Sequence, residues 1–232
     1  MKTYQHHRRR GFTLVELLVV ITIIVALAGL TAPQLAKFLK YRDRMVATNN
    51  AKQLFFGLSE FSEQYGSLPD RETATEVIER TNTTLKLDGD SSNDYFRQLI
   101  AAGIFKSEDP CYALTAGSKR KPDNILDGSD ALKPGEVGFS YLLNGTSAMP
   151  TDNPTRIIAV TPVADARKGL FDPGPLGDKA IVLTCDGGVH QFDIQPGTQK
   201  LYLAKGKTLL DTGDGTRWGP AIHPVIKAPQ TK

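Results

Sequence analysis

The sequence predicts an α+β fold: a long N-terminal helix, its first half suited to crossing a membrane, packed on a C-terminal head built around an antiparallel sheet. Three observations predict it. Residues 12–32 form an apolar run, interrupted by one charge, Glu16, and three threonines. Beyond Pro33, apolar side chains recur largely at three- and four-residue spacings, the mark of an amphipathic helix. From Val137 onward the period changes to the two-residue alternation of strands.

A helix over residues 12–32 is long enough for the roughly 30 Å hydrocarbon core of a bilayer. His6, His7, Arg8, Arg9 and Arg10 precede it. Basic residues on that flank hold the N-terminus in the cytoplasm and place everything after Ala32 outside. A secretory signal peptide shares the basic and apolar regions, and Ala26-Leu27-Ala28 matches its cleavage pattern. The apolar run is longer than such a peptide needs, however, and continues smoothly into a helical pattern. A plain uncleaved anchor leaves Glu16 unexplained, because an ionisable group inside a membrane span is costly and is usually partnered.

The order of basic residues, then Gly11-Phe12-Thr13-Leu14-Val15-Glu16, then an apolar span resembles the processing site of type IV prepilins and type II secretion pseudopilins. The detailed likeness covers residues 8–40. It implies a pilin-like fold and a leader, residues 1–11, removed by a membrane-embedded prepilin peptidase that cuts between Gly11 and Phe12. The same enzyme then methylates the new amine of Phe12. The resemblance also implies that Glu16 takes part in filament assembly by neutralising the N-terminal amine of a neighbouring subunit. Two opposite charges in an apolar bundle attract strongly, and each alone would be stranded. Pro33 falls where many family members carry a helix-kinking proline.

The amphipathic stretch, residues 33–66, offers Leu35, Leu39, Val46, Ala51, Leu54, Phe55, Leu58, Phe61 and Tyr65 as a packing face. Gly66 and Pro69 supply its stop, so the helix from about Phe12 to Tyr65 is a rod of about 80 Å at 1.5 Å per residue. The head, residues 67–232, begins with a helix near residues 72–80. A second helix follows, capped by Ser91 with Asp94 and stopped at Gly103. The acidic run 88–94 lacks the spacing of a calcium loop and reads as cap and linker. Strands are expected at 137–143, 157–163, 180–185, 189–194 and 200–204. Asp186-Gly187-Gly188 makes a hairpin turn between two of them. Segments 171–177 and 218–229 are rich in Pro and Gly and read as loops.

Composition excludes several classes of function. The 232 residues are 40% apolar and 23% charged, which is globular composition, and the formal charge is +3. Lys2, Arg8, Arg9 and Arg10 supply four positive charges; without them 24 Lys and Arg face 25 Asp and Glu. The basic excess is therefore no nucleic-acid signature. Lys119-Arg120-Lys121 has no interleaved aromatics and reads as a solvated loop. Cys111 and Cys185 are too few for a disulfide scaffold; whether they form one bridge is left open by the sequence. Cys185, Asp186 and His190 straddle the hairpin and lack an orienting third group, so they read as turn and strand residues rather than a nucleophile and base. His190 and His223 offer no close-spaced zinc pair. Asp211 and Asp214, with Gly213 and Gly215, read first as a tight turn. By the family resemblance they are also the place to look for calcium, which major pseudopilins hold in a C-terminal acidic loop.

The expectation is a structural subunit and not an enzyme, with no cofactor beyond that calcium. Its head would lie in the periplasm on a single-pass inner-membrane anchor. After processing it would join a periplasmic pseudopilus that drives exoproteins through the outer membrane in type II secretion. Prepilin peptidase, other pilin or pseudopilin subunits, the inner-membrane assembly platform and lipid are the partners this implies. A minor pilin of a surface pilus, for adhesion, motility or DNA uptake, has the same N-terminus. A membrane-tethered binding protein is the rival from another class, and the amphipathic continuation to Tyr65 argues against a mere tether.

Overall fold

A computed structural model describes residues 12–118, 120–128, 131–204 and 206–231, without the side chains of 31–33 and 204. Helix α1 is Leu14–Tyr65. Gly66 follows it at φ 78, a left-handed conformation that glycine adopts without Cβ strain, and its N–H donates to Ser62 O at 2.9 Å. The chain divides into two compact units, Met1–Leu39 and Lys40–Lys232, so α1 contributes to both.

In the first unit, every described side chain over 12–30 and 34–39 is exposed. In the second, Ala47, Ala51, Leu54, Leu58 and Phe61 are fully buried at alternating four- and three-residue steps. This corrects the expected face at its N-terminal end: Leu35, Leu39 and Val46 are exposed, and the stripe starts at Ala47. Small residues at 47 and 51 let the helix backbone approach the head closely. Polar contacts fix the same segment. Arg44 donates from Nε to Leu176 O (3.0 Å) and from Nη2 to Gly177 O (3.2 Å), and Asn50 donates to Tyr112 O (2.9 Å).

Helices α2 (Arg71–Thr81) and α3 (Ser92–Ala101) follow. Asp70 caps α2 by accepting from Glu72 N and Thr73 N, while Thr73 closes a capping box. Ser91 and Asp94 form the expected box on α3, and Gly103 follows its end at φ 74. A 3-10 turn, Asp109–Cys111, comes next.

The main sheet is antiparallel. Its strands are β1 (Ser140–Asn144), β2 (Ile157–Thr161), β5 (Lys179–Thr184), β6 (Val189–Asp193) and β9 (Pro224–Lys227), in the order β6-β5-β2-β1-β9. Two ribbons stand apart, β3 (Val163–Asp165) with β4 (Leu170–Phe171) and β7 (Tyr202–Ala204) with β8 (Lys207–Thr208). The Asp186 turn closes the β5–β6 hairpin, with Leu183 opposite Val189 and Thr184 N donating to Gly188 O at 2.9 Å. Strand β2 is buried throughout and β5 almost so, which means both sheet faces are covered at the centre.

Four expectations of strand or loop need correction. Residues 137–139 leave the ladder because Gly138 N–H donates to Cys111 O (3.0 Å) and Thr161 Oγ1 donates to Gly138 O (2.7 Å). The long strand expected over 157–163 stops at Thr161, since Pro162 has no N–H to continue it. Segment 218–229, expected as loop, contains β9, whose Pro224 opens the strand at the sheet edge, where a missing donor is tolerated. Phe171, expected in a loop, ends β4.

Tyr95 and Phe96 of α3 pack on the Tyr141 ring of β1, with centroids 5.4 and 5.6 Å apart, and Tyr141 donates to Pro69 O at 3.0 Å. At Gly57 a Cβ would run into the Phe105 ring. Alanine at a helix interior ordinarily gains about 1 kcal/mol over glycine; here it must displace a packed ring, at a cost of roughly 1–3 kcal/mol. Gly57→Ala is therefore expected to lower the melting temperature of the detergent-solubilised chain, and Phe105→Leu in the same chain to recover part of the loss. A higher melting temperature for Gly57→Ala alone would show that the ring does not sit against the helix.

Candidate functional site

The first turn of α1 carries a contact set that the sequence reading missed. Thr13 N and Thr13 Oγ1 both donate to Glu16 Oε2, at 2.9 and 2.8 Å, and Glu16 N donates back to Thr13 Oγ1 at 3.3 Å. This is a capping box, with Thr13 as N-cap and Glu16 three residues on. Its signal, Thr-x-x-Glu ahead of an apolar run, is plain in the sequence. Glu16 is thus not without a partner in its own chain: a backbone N–H and a hydroxyl already hold its carboxylate. Phe12, one residue ahead of the cap, is exposed. Gly11 and the rest of the expected leader lie outside the described residues, as does the side chain of Pro33.

Glu16 is the single charge between Phe12 and Ala36, in a stretch whose described apolar side chains are exposed. Leu14, Leu18, Ile21, Val25 and Leu30 are all more than half exposed. So large an apolar surface calls for lipid or other protein around it. Among the described residues no single helix is long and apolar enough to cross a membrane; Leu14–Leu30 and Gln34–Tyr65 meet that measure only together, as a bent pair.

The head's candidate residues do not converge on a catalytic arrangement. Asp186 Oδ1 accepts from Thr184 Oγ1 (2.6 Å) and Gly188 N (2.9 Å), which hold its carboxyl below the usual range and occupy it in the turn. Burial pushes the Cys185 thiol up to about 11, with Arg156 pulling the other way, so the thiolate a nucleophile requires is disfavoured. Cys111 and Cys185 are both free thiols, and Cys111 is buried. Lys119 lies outside the described residues.

Asp211 accepts from Thr208 N at 2.6 Å, and that backbone bond is what lowers its carboxyl most. Asp214 is exposed in a turn in which Thr216 N and Oγ1 both reach Gly213 O. Neither aspartate joins a cluster with metal-ligand spacing among the described residues, nor do His190 and His223; Glu108, Asp123 and Glu136 do. Burial raises the carboxyls of Glu108 and Glu136, whereas Asp123, paired with Lys133, is lowered.

A long helix carrying an antiparallel head is the layout of a pilin-like protein. Residues 6–32 match the model of the prokaryotic N-terminal methylation motif, the hallmark of type IV pilin-like and pseudopilin proteins. No curated protein and no solved structure matches the chain. The motif implies processing by prepilin peptidase, anchoring by a hydrophobic helix and assembly of pilin-type subunits into filaments, which is a structural role.

The capping box predicts a local effect. Thr13→Val keeps the shape but removes the hydroxyl that both donates to and accepts from Glu16. It is expected to cost the first turn roughly 1 kcal/mol, so its amides should exchange roughly fivefold faster in the detergent-solubilised chain. Unchanged exchange at Glu16 N–H would show that the box does not form.

Proposed function

We propose that this chain is a structural subunit of the periplasmic pseudopilus of a type II secretion system. The observation that carries this reading is the exposed run 12–30, which lies within the matched methylation motif and contains Glu16 as its one charge. In the precursor the run sits in the inner membrane, with the N-terminus cytoplasmic and the head periplasmic. Prepilin peptidase cuts between Gly11 and Phe12 and methylates the Phe12 amine. The assembly platform then lifts the subunit out, and its apolar side chains exchange lipid for the helices of neighbouring subunits. Pro33, which lacks the N–H that a helix interior uses, is the place for the helix to bend as it changes surroundings.

Within this reading Glu16 has two successive partners. The capping box holds its carboxylate while the subunit is alone, and the methylated amine of a neighbour's Phe12 takes it over in the filament. Glu16→Gln should accordingly be inserted and cut like the wild type, with a mature chain starting at N-methylated Phe12 by mass spectrometry, yet enter filaments far less well. Wild-type incorporation of Glu16→Gln would refute the charge pairing, and a mature chain starting at Gly29 would refute the processing. Deleting the gene separates the two filament types: loss of exoproteins from the medium with surface pili intact is the expected result, and the converse assigns the subunit to a pilus.

A further inference from the structure

Between the turn at Asp109–Cys111 and β1 the chain runs through residues 112–139 with no α-helix or β-strand among the described residues. Loops of that length inside a compact unit are uncommon and are usually functional. Three carboxylates from this region and its flank meet: Glu108, Asp123 and Glu136 each place an oxygen within 4.8 Å of the others. Glu108 and Glu136 are fully buried, and Asp123 is partly open to solvent.

Most oxygens of the cluster are engaged. Glu108 Oε1 accepts from Leu132 N (2.5 Å) and Oε2 from Asn124 N (2.9 Å). Asp123 accepts from Ile125 N (3.1 Å) and Lys133 Nζ (2.7 Å), and Glu136 Oε2 accepts from Lys133 N (2.8 Å). Glu136 Oε1 is different. It is buried and has no hydrogen-bond partner at all. A buried carboxylate oxygen left unpaired beside two further carboxylates is costly twice over, through lost solvation and through like-charge repulsion. Lys133 and Arg120 offset part of this by acting on Glu136 at a distance, but Lys133 Nζ hydrogen-bonds Asp123 and Glu136 Oε1 stays without a hydrogen-bond partner.

We propose that Glu108, Asp123 and Glu136 bind a hard divalent cation, with Glu136 Oε1 as a direct ligand. An all-oxygen, all-carboxylate donor set selects calcium or magnesium over softer metals. Oxygens sharing a calcium ion at about 2.3–2.6 Å from the metal can stand no more than roughly 5 Å apart, and the spacing here falls within that limit. Backbone carbonyls and water would complete the shell. The ion ties Glu108, the N-cap of the 3-10 turn Asp109–Cys111, to two points in the irregular stretch, at Asp123 and Glu136. It would therefore brace the part of the head that has no strand ladder of its own. This site is separate from the Asp211–Asp214 turn.

The test uses the full chain in detergent, stripped with chelator and desalted. Calcium or magnesium, added up to about 1 mM as for extracellular calcium modules, should raise the melting temperature saturably by several degrees. Glu136→Gln and Asp123→Asn should each weaken binding at least about tenfold by calorimetric titration, a loss of about 1.4 kcal/mol. Asp214→Asn should leave both readouts unchanged. Circular dichroism of the metal-free variants checks folding, and Asp123, being partly exposed, carries the test if the Glu136 variant fails to fold. No response to either ion, an undiminished response in Asp123→Asn, or a response lost with Asp214→Asn would each overturn the proposal.

Discussion

The burial of one stripe of α1, from Ala47 to Phe61, is the constraint on which the rest of the head depends. The stripe uses alternating four- and three-residue steps, so a single face enters the core and the opposite face, with Phe56 and Lys52, stays in solvent. Phe55 and Leu58 share the lining of a small cavity with Ile158 and Cys185, which brings the helix to the centre of the sheet. Asn50 and Arg44 donate to loop carbonyls and pin the helix in rotation and along its axis. Gly57 leaves room for Phe105, and Gly187, at φ 80 in the β5–β6 turn, passes next to Phe55. A rotation of α1 by one residue would bury Val46 or Lys52 in place of Ala47 and Ala51.

Much of the electrostatics of the head serves the same end of holding irregular segments. Arg97 lies buried on α3, pairs with Asp94 at 2.5 Å and donates to Ala131 O and Leu132 O. Burial pulls the guanidinium's pKa down and Asp94 pulls it back up, so the pair is tolerated because its hydrogen bonds are satisfied. Asp90 receives Lys227 Nζ on both oxygens at 2.7 Å, tying the acidic run at the start of α3 to β9. The acidic stretch that could be mistaken in the sequence for a metal loop is thus occupied by a cap and two cross-links.

What could be read from the sequence follows from the range of the interactions. Period, caps and turns are local, so the long helix, the α3 box at Ser91 and Asp94, and the Asp186 hairpin were all visible. The helix face was misjudged at its N-terminal end because a periodic pattern does not say where the head stops covering it: Val46 and Ala47 are both apolar, and only the head chooses Ala47. Strand β9 was hidden by its Pro224 and by its position at an edge, where one partner, β1, supplies all the pairing. The Glu108, Asp123 and Glu136 cluster has no spacing signature, since its members are brought together by backbone bonds such as Leu132 N to Glu108. The capping box at Thr13 was legible and was overlooked because Glu16 was read for its charge rather than for its position in the helix.

Glu16 is both a cap residue and a charge. A capping box is served by glutamine as well as by glutamate, so closing the first turn of α1 does not by itself call for a charge in an otherwise apolar stretch. A negative charge there is costly unless a positive one faces it. On the proposed reading, the nitrogen of Phe12, the residue ahead of the cap, is a neutral peptide nitrogen before cleavage and an ammonium after it. On the proposed reading, a carboxylate at position 16 therefore distinguishes the processed chain from the precursor, which a neutral cap could not do. The pairing is also worth most where water is absent, inside a bundle of helices, and least at a wet headgroup surface. Charge, cap and cut together would then favour assembly of subunits that have lost their leader.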